Sequence, residues 1–260
     1  MPESHKEARK FFDATVDIYQ ERAERHIFNF SSLIFQRRIN IVERFLSDVP
    51  QGGEVLDFGM GPAVFALFCV DRELEYTGID ISPQMVARAK SMELKNTNYL
   101  VGDLEALNDF RGSKDVVMAI GLLDYLDDVM HGIETLAECV KPGGLLILSF
   151  RNRFSVPGKL RDGSKRMWQF LRQGEPSRTD KTFFAPVHEK SFDFFTELRP
   201  ALADFEDFEV AYFNCSPFFF NFPLPVWLWQ IWYKLDGWLA RPLTRYMCSG
   251  GVLAARRHSS

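Results

Sequence analysis

Three aspartates and two glycines in this chain could do chemistry together. The stretch "EVLDFGMGPAVFA" (Glu54 to Ala66) runs apolar, carries Asp57, and turns glycine-rich at Gly59 and Gly61. It reads as a buried strand, a tight turn and the start of a helix, a layout that presents backbone N–H groups to a nucleotide-like ligand. Asp80 closes "GIDIS" and Asp103 closes "VGD", so three acids stand at three successive strand ends facing one edge. A dinucleotide fingerprint is G-x-G-x-x-G with an acid about 20 residues further on. Gly59, Gly61 and Asp80 fit it, but the third position is Val64. Asp57 argues further against a pyrophosphate, because a carboxylate beside that turn repels phosphate and suits a cationic ligand. Each acid also has a plainer reading: a strand-end turn residue for Asp57, helix caps for Asp80 and Asp103.

The elements that must position these residues follow from the hydrophobic pattern. Residues from about Lys6 to Leu46 have helical spacing, with Phe11, Phe12, Val16 and Tyr19 on a first helix. Ser31 or Ser32 is placed to cap a second helix carrying Leu33, Ile34, Ile39, Ile41, Val42 and Leu46 inward, and Pro50, Gly52 and Gly53 end it. From Glu54, strands "EVLDFG", "LEYTGIDIS", "TNYLVGD", "KDVVMAIGLL" and "GGLLILSF" alternate with helices such as "PQMVARAKSM" and "LDDVMHGIETLAECV". That alternation predicts an α/β doubly wound, parallel sheet with right-handed crossovers. Beyond Phe150 a basic, Gly- and Pro-punctuated stretch reads as a loop with a short helix near Lys165 to Leu171. "EKSFDFFTELRPAL" reads as a helix, and "FEDFEVAYFNC" and "GGVLAARR" as strands.

Composition narrows the class. The chain has 260 residues, 46% hydrophobic and 25% charged, with a net charge of −4 and pI near 5.8. That fits an ordinary globular protein and argues against a nucleic-acid partner, which needs a basic face. Cys69, Cys139, Cys215 and Cys248 form no C-x-x-C pair. They read as buried thiols in a reducing compartment, with no disulfide framework and no metal site. The charged N-terminus lacks an apolar signal region, and no apolar run reaches the ~20 residues of a membrane span. The expected location is cytoplasmic, with a membrane-peripheral variant left open by the 25 phenylalanines and the aromatic segment described below.

With those residues in hand, the chain resembles the class I S-adenosylmethionine-dependent methyltransferases, in particular the small-molecule group. "VLDFGMGPA" matches the family's first motif through Gly61 and departs at Ala63, where glycine is usual. The resemblance covers roughly Gln51 to Arg151. It implies a Rossmann-like seven-stranded sheet of order 3-2-1-4-5-7-6, mostly parallel with an antiparallel last strand. S-adenosylmethionine is the implied cofactor; it carries an ammonium and a sulfonium and no phosphate, as Asp57 requires. On the family's pattern Asp57, Gly59 and Gly61 form the first turn, and Asp80 binds the ribose hydroxyls with Ile81 and Met85 beside it. Asp103 lies near the adenine amine, Leu104 flanks the ring, and Ile120 and Gly121 line the methionine portion. The expected organisation is an N-terminal helical lid over 1–50 and the cofactor-binding domain over 51–260, with substrate-side insertions at 152–190 and 217–245. Lid candidates are Tyr19, Phe28 and Phe30, and Tyr19, Arg37 and Arg38 are candidates for the methionine carboxylate.

The implied reaction is methyl transfer to oxygen or nitrogen of a small or lipid-like acceptor with an apolar portion. Positioning can be most of the catalysis, and a base is needed only if the nucleophile holds its proton near neutral pH. Asp124 and Tyr125, after the fourth strand, and His188 are the candidates for acid–base work; His26 is a third histidine, and His131 falls on a helix surface. The fourth-strand motif is not Asn-Pro-Pro-Tyr, which counts against nucleobase or glutamine-amide acceptors. "LPVWLWQIWYKLDGWLARPL" is a C-terminal aromatic helical insertion with Trp227, Leu228, Ile231, Trp232, Leu235 and Leu239 on one stripe. It could pack on the core, roof a pocket for an apolar substrate, or lie in a membrane interface; the pocket roof is the preferred reading. Pro217, Pro223, Pro225 and Lys234 argue against spanning. Alternatives to a small-molecule enzyme are a membrane-peripheral lipid or quinone-precursor methyltransferase and a non-catalytic S-adenosylmethionine-binding protein. An NAD oxidoreductase is disfavoured by Asp57 and Val64.

Overall fold

A computed structural model describes residues 3–23, 30–156, 158–160, 190–215, 225–240 and 242–259. The expected helix near Lys165 to Leu171 lies outside them, as do His26, Phe28 and His188. Seven strands form one sheet in the order β3-β2-β1-β4-β5-β7-β6. They are β1 (Glu54–Phe58), β2 (Glu75–Asp80), β3 (Thr97–Val101), β4 (Lys114–Ala119), β5 (Val140–Arg151), β6 (Phe205–Phe213) and β7 (Gly250–Arg257). β1 to β5 pair in parallel, and β7 runs antiparallel to both β5 and β6. This is the order and the reversed last strand that the resemblance implied.

Two cores explain the near-continuous apolar runs of the central strands, which are covered on both faces. Alternation along β1 sends Leu56 and Phe58 to the face covered by α6 (Val129–Cys139), with Ile133, Leu136 and Cys139. It sends Val55 to the opposite face, with Ile39, Val42 and Leu46 of α3 (Phe30–Leu46). Asp57 shares that second face by the same period-2 rule, which puts it beside Tyr76 of β2. α3 is thus part of the core. α1 (Glu3–Asp13) and α2 (Val16–Ala23) lie over the carboxyl ends of the strands. Helix α3 already begins at Phe30, so neither Ser31 nor Ser32 caps it. The remaining crossovers use α4 (Ala66–Asp71) and α5 (Pro83–Lys90), the latter capped by Ser82, whose Oγ accepts from Met85 N at 3.1 Å.

Three expectations are corrected here. The helix expected over "EKSFDFFTELRPAL" is a single π-helical turn (Phe194–Leu198) and a 3₁₀ turn (Pro200–Leu202). Pro200 lacks the N–H a continuing helix needs, and Asp193 and Glu197 close the first turn on themselves through Thr196 N and Asp193 N. Second, Cys215 and Cys248 are joined as a disulfide; only Cys69 and Cys139 are buried free thiols. The pairing follows from register. Phe213 lies opposite Gly250 in the β6–β7 ladder, and continuing that ladder outward brings Asn214 to Ser249 and Cys215 to Cys248.

The third correction concerns the aromatic helix α7 (Val226–Leu239), which buries a different face from the one expected. Trp229 and Asp236 point inward, while Trp227, Ile231, Leu235 and Trp238 are exposed. It packs beside α3, not over the carboxyl edge of β1–β4, and none of its residues lines the cavity described next. The pocket-roof reading is therefore set aside. Among the described residues no helix is long and apolar enough to cross a membrane.

Candidate active site

The loop after β1 is built around left-handed backbone. Gly59 (φ +74°) and Gly61 (φ +56°) turn the chain back toward β2, with Gly59 N donating to Ile79 O at 2.8 Å. A Cβ on Gly59 would lie 2.8 Å from Leu122 Cδ1, so glycine is required there by both conformation and space. Ala63 also has a positive φ of 55°, which explains why glycine is usual at this position. Gly61 N donates to Asp80 Oδ2 at 2.8 Å, and Ser82 N donates to Oδ1 at 2.9 Å. Asp80 thereby ties the first turn to the start of α5. Asp103 does cap the following 3₁₀ helix, accepting from Glu105 N at 3.2 Å. The plainer capping role of Asp103 and its place at the site hold together.

These turns surround a cavity of about 610 Å³ at the carboxyl ends of β1 to β4. Asp57, Gly59, Gly61, Asp80, Ile81, Met85, Asp103, Leu104, Ile120 and Gly121 all line it, as do Tyr19, Arg38, Asp124 and Tyr125. The sheet order sets them along one edge, from Asp103 just after β3 through Asp80 and Asp57 to the loop after β4. Arg37 does not join them. Successive helical residues point about 100° apart, and Arg37 faces α7, where it donates to Tyr233 O, lies 3.9 Å above the Tyr233 ring and sits 3.4 Å from Asp236. The structure thus divides the expected Arg37–Arg38 pair between two jobs. Arg38 lies against Gly121: a Cβ on that glycine would be 2.9 Å from Arg38 Nη1.

α1 and α2 complete the wall. Phe12 and Tyr19 meet edge to face at 5.8 Å, and Phe12 meets Tyr125 at 5.0 Å, so α1, α2 and the loop after β4 share one aromatic cluster. Asp13 fastens α1 to α5, accepting from Ser82 Oγ at 2.6 Å and Gln84 N at 3.3 Å. Sequence reasoning missed Phe12, Phe35 and Leu122 as lining residues, because their apolar spacing is equally that of core positions. His131 is exposed and sits at the rim.

Electrostatics separate the groups. Asp57 is buried, its Oδ2 accepting from Tyr76 OH at 2.7 Å. Burial pushes its carboxyl up to about 7, with Asp80 adding to the rise and the Tyr76 hydrogen bond opposing it. Asp80 is also raised, by burial, against its two backbone hydrogen bonds. Burial, with Tyr19 alongside, holds the Tyr125 phenol above its ordinary range. Tyr125 is thus a neutral hydroxyl at physiological pH.

The lining residues suit a cationic, phosphate-free nucleoside ligand. They include six acids (Asp57, Asp80, Asp103, Asp124, Asp127 and Asp128) against Arg38 and the rim His131, and a pyrophosphate would meet net repulsion. A Cβ on Gly61 would meet nothing within 4 Å, so the turn leaves open space against which a ligand can lie.

Comparison with known proteins agrees. A family described as "Methyltransferase domain" matches residues 55–144. The ubiquinone biosynthesis O-methyltransferase of Coxiella burnetii is 30% identical over 106 residues, covering 40% of this chain and 45% of that protein. The match thus spans less than half of that relative. The magnesium protoporphyrin IX methyltransferase of Synechocystis PCC 6803, solved with bound SAH, superposes with a TM-score of 0.63 at 17% identity, covering 98% of this chain and 100% of that one. A [4+2]-cyclase, SpnF, superposes equally well, with a TM-score of 0.63 at 16% identity over 100% and 97% of the chains. These structural likenesses show the fold, and the fold alone does not choose the reaction. The profile match places a methyltransferase domain over residues 55–144, on the fold that these structures share, and the acidic lining around its first turn suits a cationic cofactor.

Proposed function

We propose that this protein transfers a methyl group to oxygen or nitrogen of a small or lipid-like acceptor with an apolar portion. The observation that carries the reading is the cavity's division along the sheet edge. Asp57, Asp80 and Asp103 line it at the ends of β1 to β3, and beyond β4 an aromatic and aliphatic cluster of Phe12, Tyr19, Leu122, Tyr125 and Leu126 gathers beside Asp124, Asp127 and Asp128. Bound at the ends of β1 to β3, S-adenosylmethionine supplies a methyl group on a cationic sulfur. Asp80, Asp103, Ile81, Met85 and Leu104 are the residues proposed to hold its nucleoside half. Asp57 and the Gly59–Gly61 turn hold the amino-acid half, with Arg38 and Tyr19 for its carboxylate.

The aromatic cluster excludes water and orients the acceptor, which is most of what a direct displacement asks of a protein. Tyr125, kept neutral, donates a hydrogen bond to the acceptor. Asp124, which lines the cavity, is the residue proposed to take a proton where the nucleophile holds one; His188 keeps its candidacy from the sequence.

The test is turnover of S-adenosylmethionine with a series of phenols and amines carrying apolar chains of increasing length. Product formation that rises with chain length, and falls in Asp124→Asn with cofactor affinity unchanged, is expected. Cofactor binding without turnover of any acceptor would overturn the reading and leave a non-catalytic binding protein. A second reading, action on an acceptor held at a membrane surface, is favoured by the exposed aromatic face of α7.

A further inference from the structure

α7 is anchored from within and apolar outside. Asp236, fully buried, accepts from Cys215 N at 2.6 Å and Asn214 N at 3.3 Å and faces Arg37. These contacts fix the helix's rotation, so its outer face is not free to turn inward. That face carries Trp227, Ile231, Leu235 and Trp238 at successive helical intervals, with Trp227 58% and Trp238 63% exposed. A second exposed aromatic group lies at the same edge of the sheet, where β5 ends and β7 begins. Phe154 meets Tyr246 edge to face at 6.2 Å, and Lys159 and Arg245 lie over their rings at 5.6 Å and 4.8 Å.

We propose that the outer face of α7, with the Phe154–Tyr246 group as a second contact, docks this protein on an anionic lipid bilayer. The inference rests on the surface itself; joined to the proposed apolar acceptor, it describes how that acceptor is reached. Three features choose a bilayer over a protein partner. Tryptophan is the side chain favoured at the headgroup boundary, where an apolar body and a polar N–H are both accommodated. Charge is one-signed: from Val226 to Ser249 the bases are Lys234, Arg241 and Arg245, and the only acid is the buried Asp236. A chain of net charge −4 that keeps exposed acids off this segment is matched to anionic headgroups. Lysine beside the apolar stripe is also what protein interfaces avoid and interfacial helices use. At 14 residues α7 extends about 21 Å, too short to cross and long enough to lie in the plane. Its neighbour α3 contributes Arg37 to α7 and Arg38 to the cavity.

The experiment uses the full chain without cofactor or acceptor, so its outcome is independent of the proposed reaction. Co-sedimentation is measured with phosphatidylcholine vesicles, with and without phosphatidylglycerol. Binding is expected only with the anionic lipid, and weakening as salt rises. Trp227→Ser with Trp238→Ser should weaken it roughly tenfold or more. Lys234→Glu with Arg245→Glu should do the same, whereas Leu67→Ser, an exposed apolar position on α4, should change nothing. On the unmutated protein, brominated lipid should quench tryptophan fluorescence. Absence of binding and quenching would overturn the proposal. So would equal binding by the tryptophan variant, or a self-association lost in that variant in place of vesicle binding.

Discussion

Asp57→Asn separates the charge of this residue from its place in the structure. The carboxyl is 1% exposed and accepts a 2.7 Å hydrogen bond from Tyr76, which asparagine's oxygen can also accept. Burial raises its pKa from 3.8 to about 7. The sign for stability follows from linkage. Between those two values the folded protein keeps a proton that the unfolded chain has lost, so stability falls as pH rises through the window. Each pH unit costs about 1.4 kcal/mol, which makes about 4 kcal/mol across the window as an upper bound, constant above pH 7. Asp57→Asn removes that cost. Its melting temperature should exceed the parent's at pH 8 and converge with it near pH 4.

Cofactor binding should run the other way. A cationic ligand binds the ionised carboxylate, whose population in the free protein rises from about a tenth at pH 6 to about nine-tenths at pH 8. S-adenosylhomocysteine keeps the ammonium and is chemically quiet, so its calorimetric titration is the cleaner assay. Affinity should rise roughly tenfold from pH 6 to pH 8 and then level as the carboxyl becomes fully ionised. In Asp57→Asn the affinity at pH 8 should fall by about tenfold and the slope between pH 6 and 8 should vanish, a charge-assisted contact having become a neutral one. An unmutated protein with flat affinity across that range, or a variant that keeps the slope, would refute the assignment of the cationic end to Asp57.

Other perturbations probe the supports of the site. Ala63 at φ +55° carries about 1–2 kcal/mol of backbone strain, yet its buried methyl is worth about 0.8 kcal/mol and glycine would add unfolded-chain entropy. Ala63→Gly should therefore shift the melting temperature by less than about 2 °C, whereas the β-branched Ala63→Val should lower it several-fold more. Asp236→Ala would strand Arg37 and two backbone N–H groups, costing about 3–5 kcal/mol in denaturant unfolding, with Asp236→Asn milder. Asp13→Ala would release α1 from α5, and stopped-flow should show S-adenosylhomocysteine leaving several-fold faster with little change in melting temperature.

What was legible in the sequence was what local chemistry decides. Alternating apolar runs and helices, with acids at strand ends after a Gly-x-Gly turn, located the edge at which Asp57, Asp80 and Asp103 gather. What was not legible depended on contacts between distant segments. Cys215 and Cys248 become partners only once the β6–β7 register is known, and their spacing of 33 residues carries no hint of it. Arg37 and Arg38 are chemically identical, and only the position of α7 says which one points away from the cavity. α7 itself shows the physical limit most sharply. "VWLWQIWYKLDGWL" is apolar on nearly every side, so a periodicity argument finds several comparable stripes and has no means to choose among them. The choice is made by the residue that looks least suited to a buried face. A carboxylate inside a protein must be paired and hydrogen-bonded, and Asp236 finds Arg37 and the backbone N–H groups of Asn214 and Cys215 at the end of β6. Once that one group is satisfied, the helix's rotation is fixed, Trp229 goes in, and Trp227, Ile231, Leu235 and Trp238 are left facing out. In a helix apolar all round, the polar residue sets the orientation, and the tryptophans it leaves outside become available for a surface role.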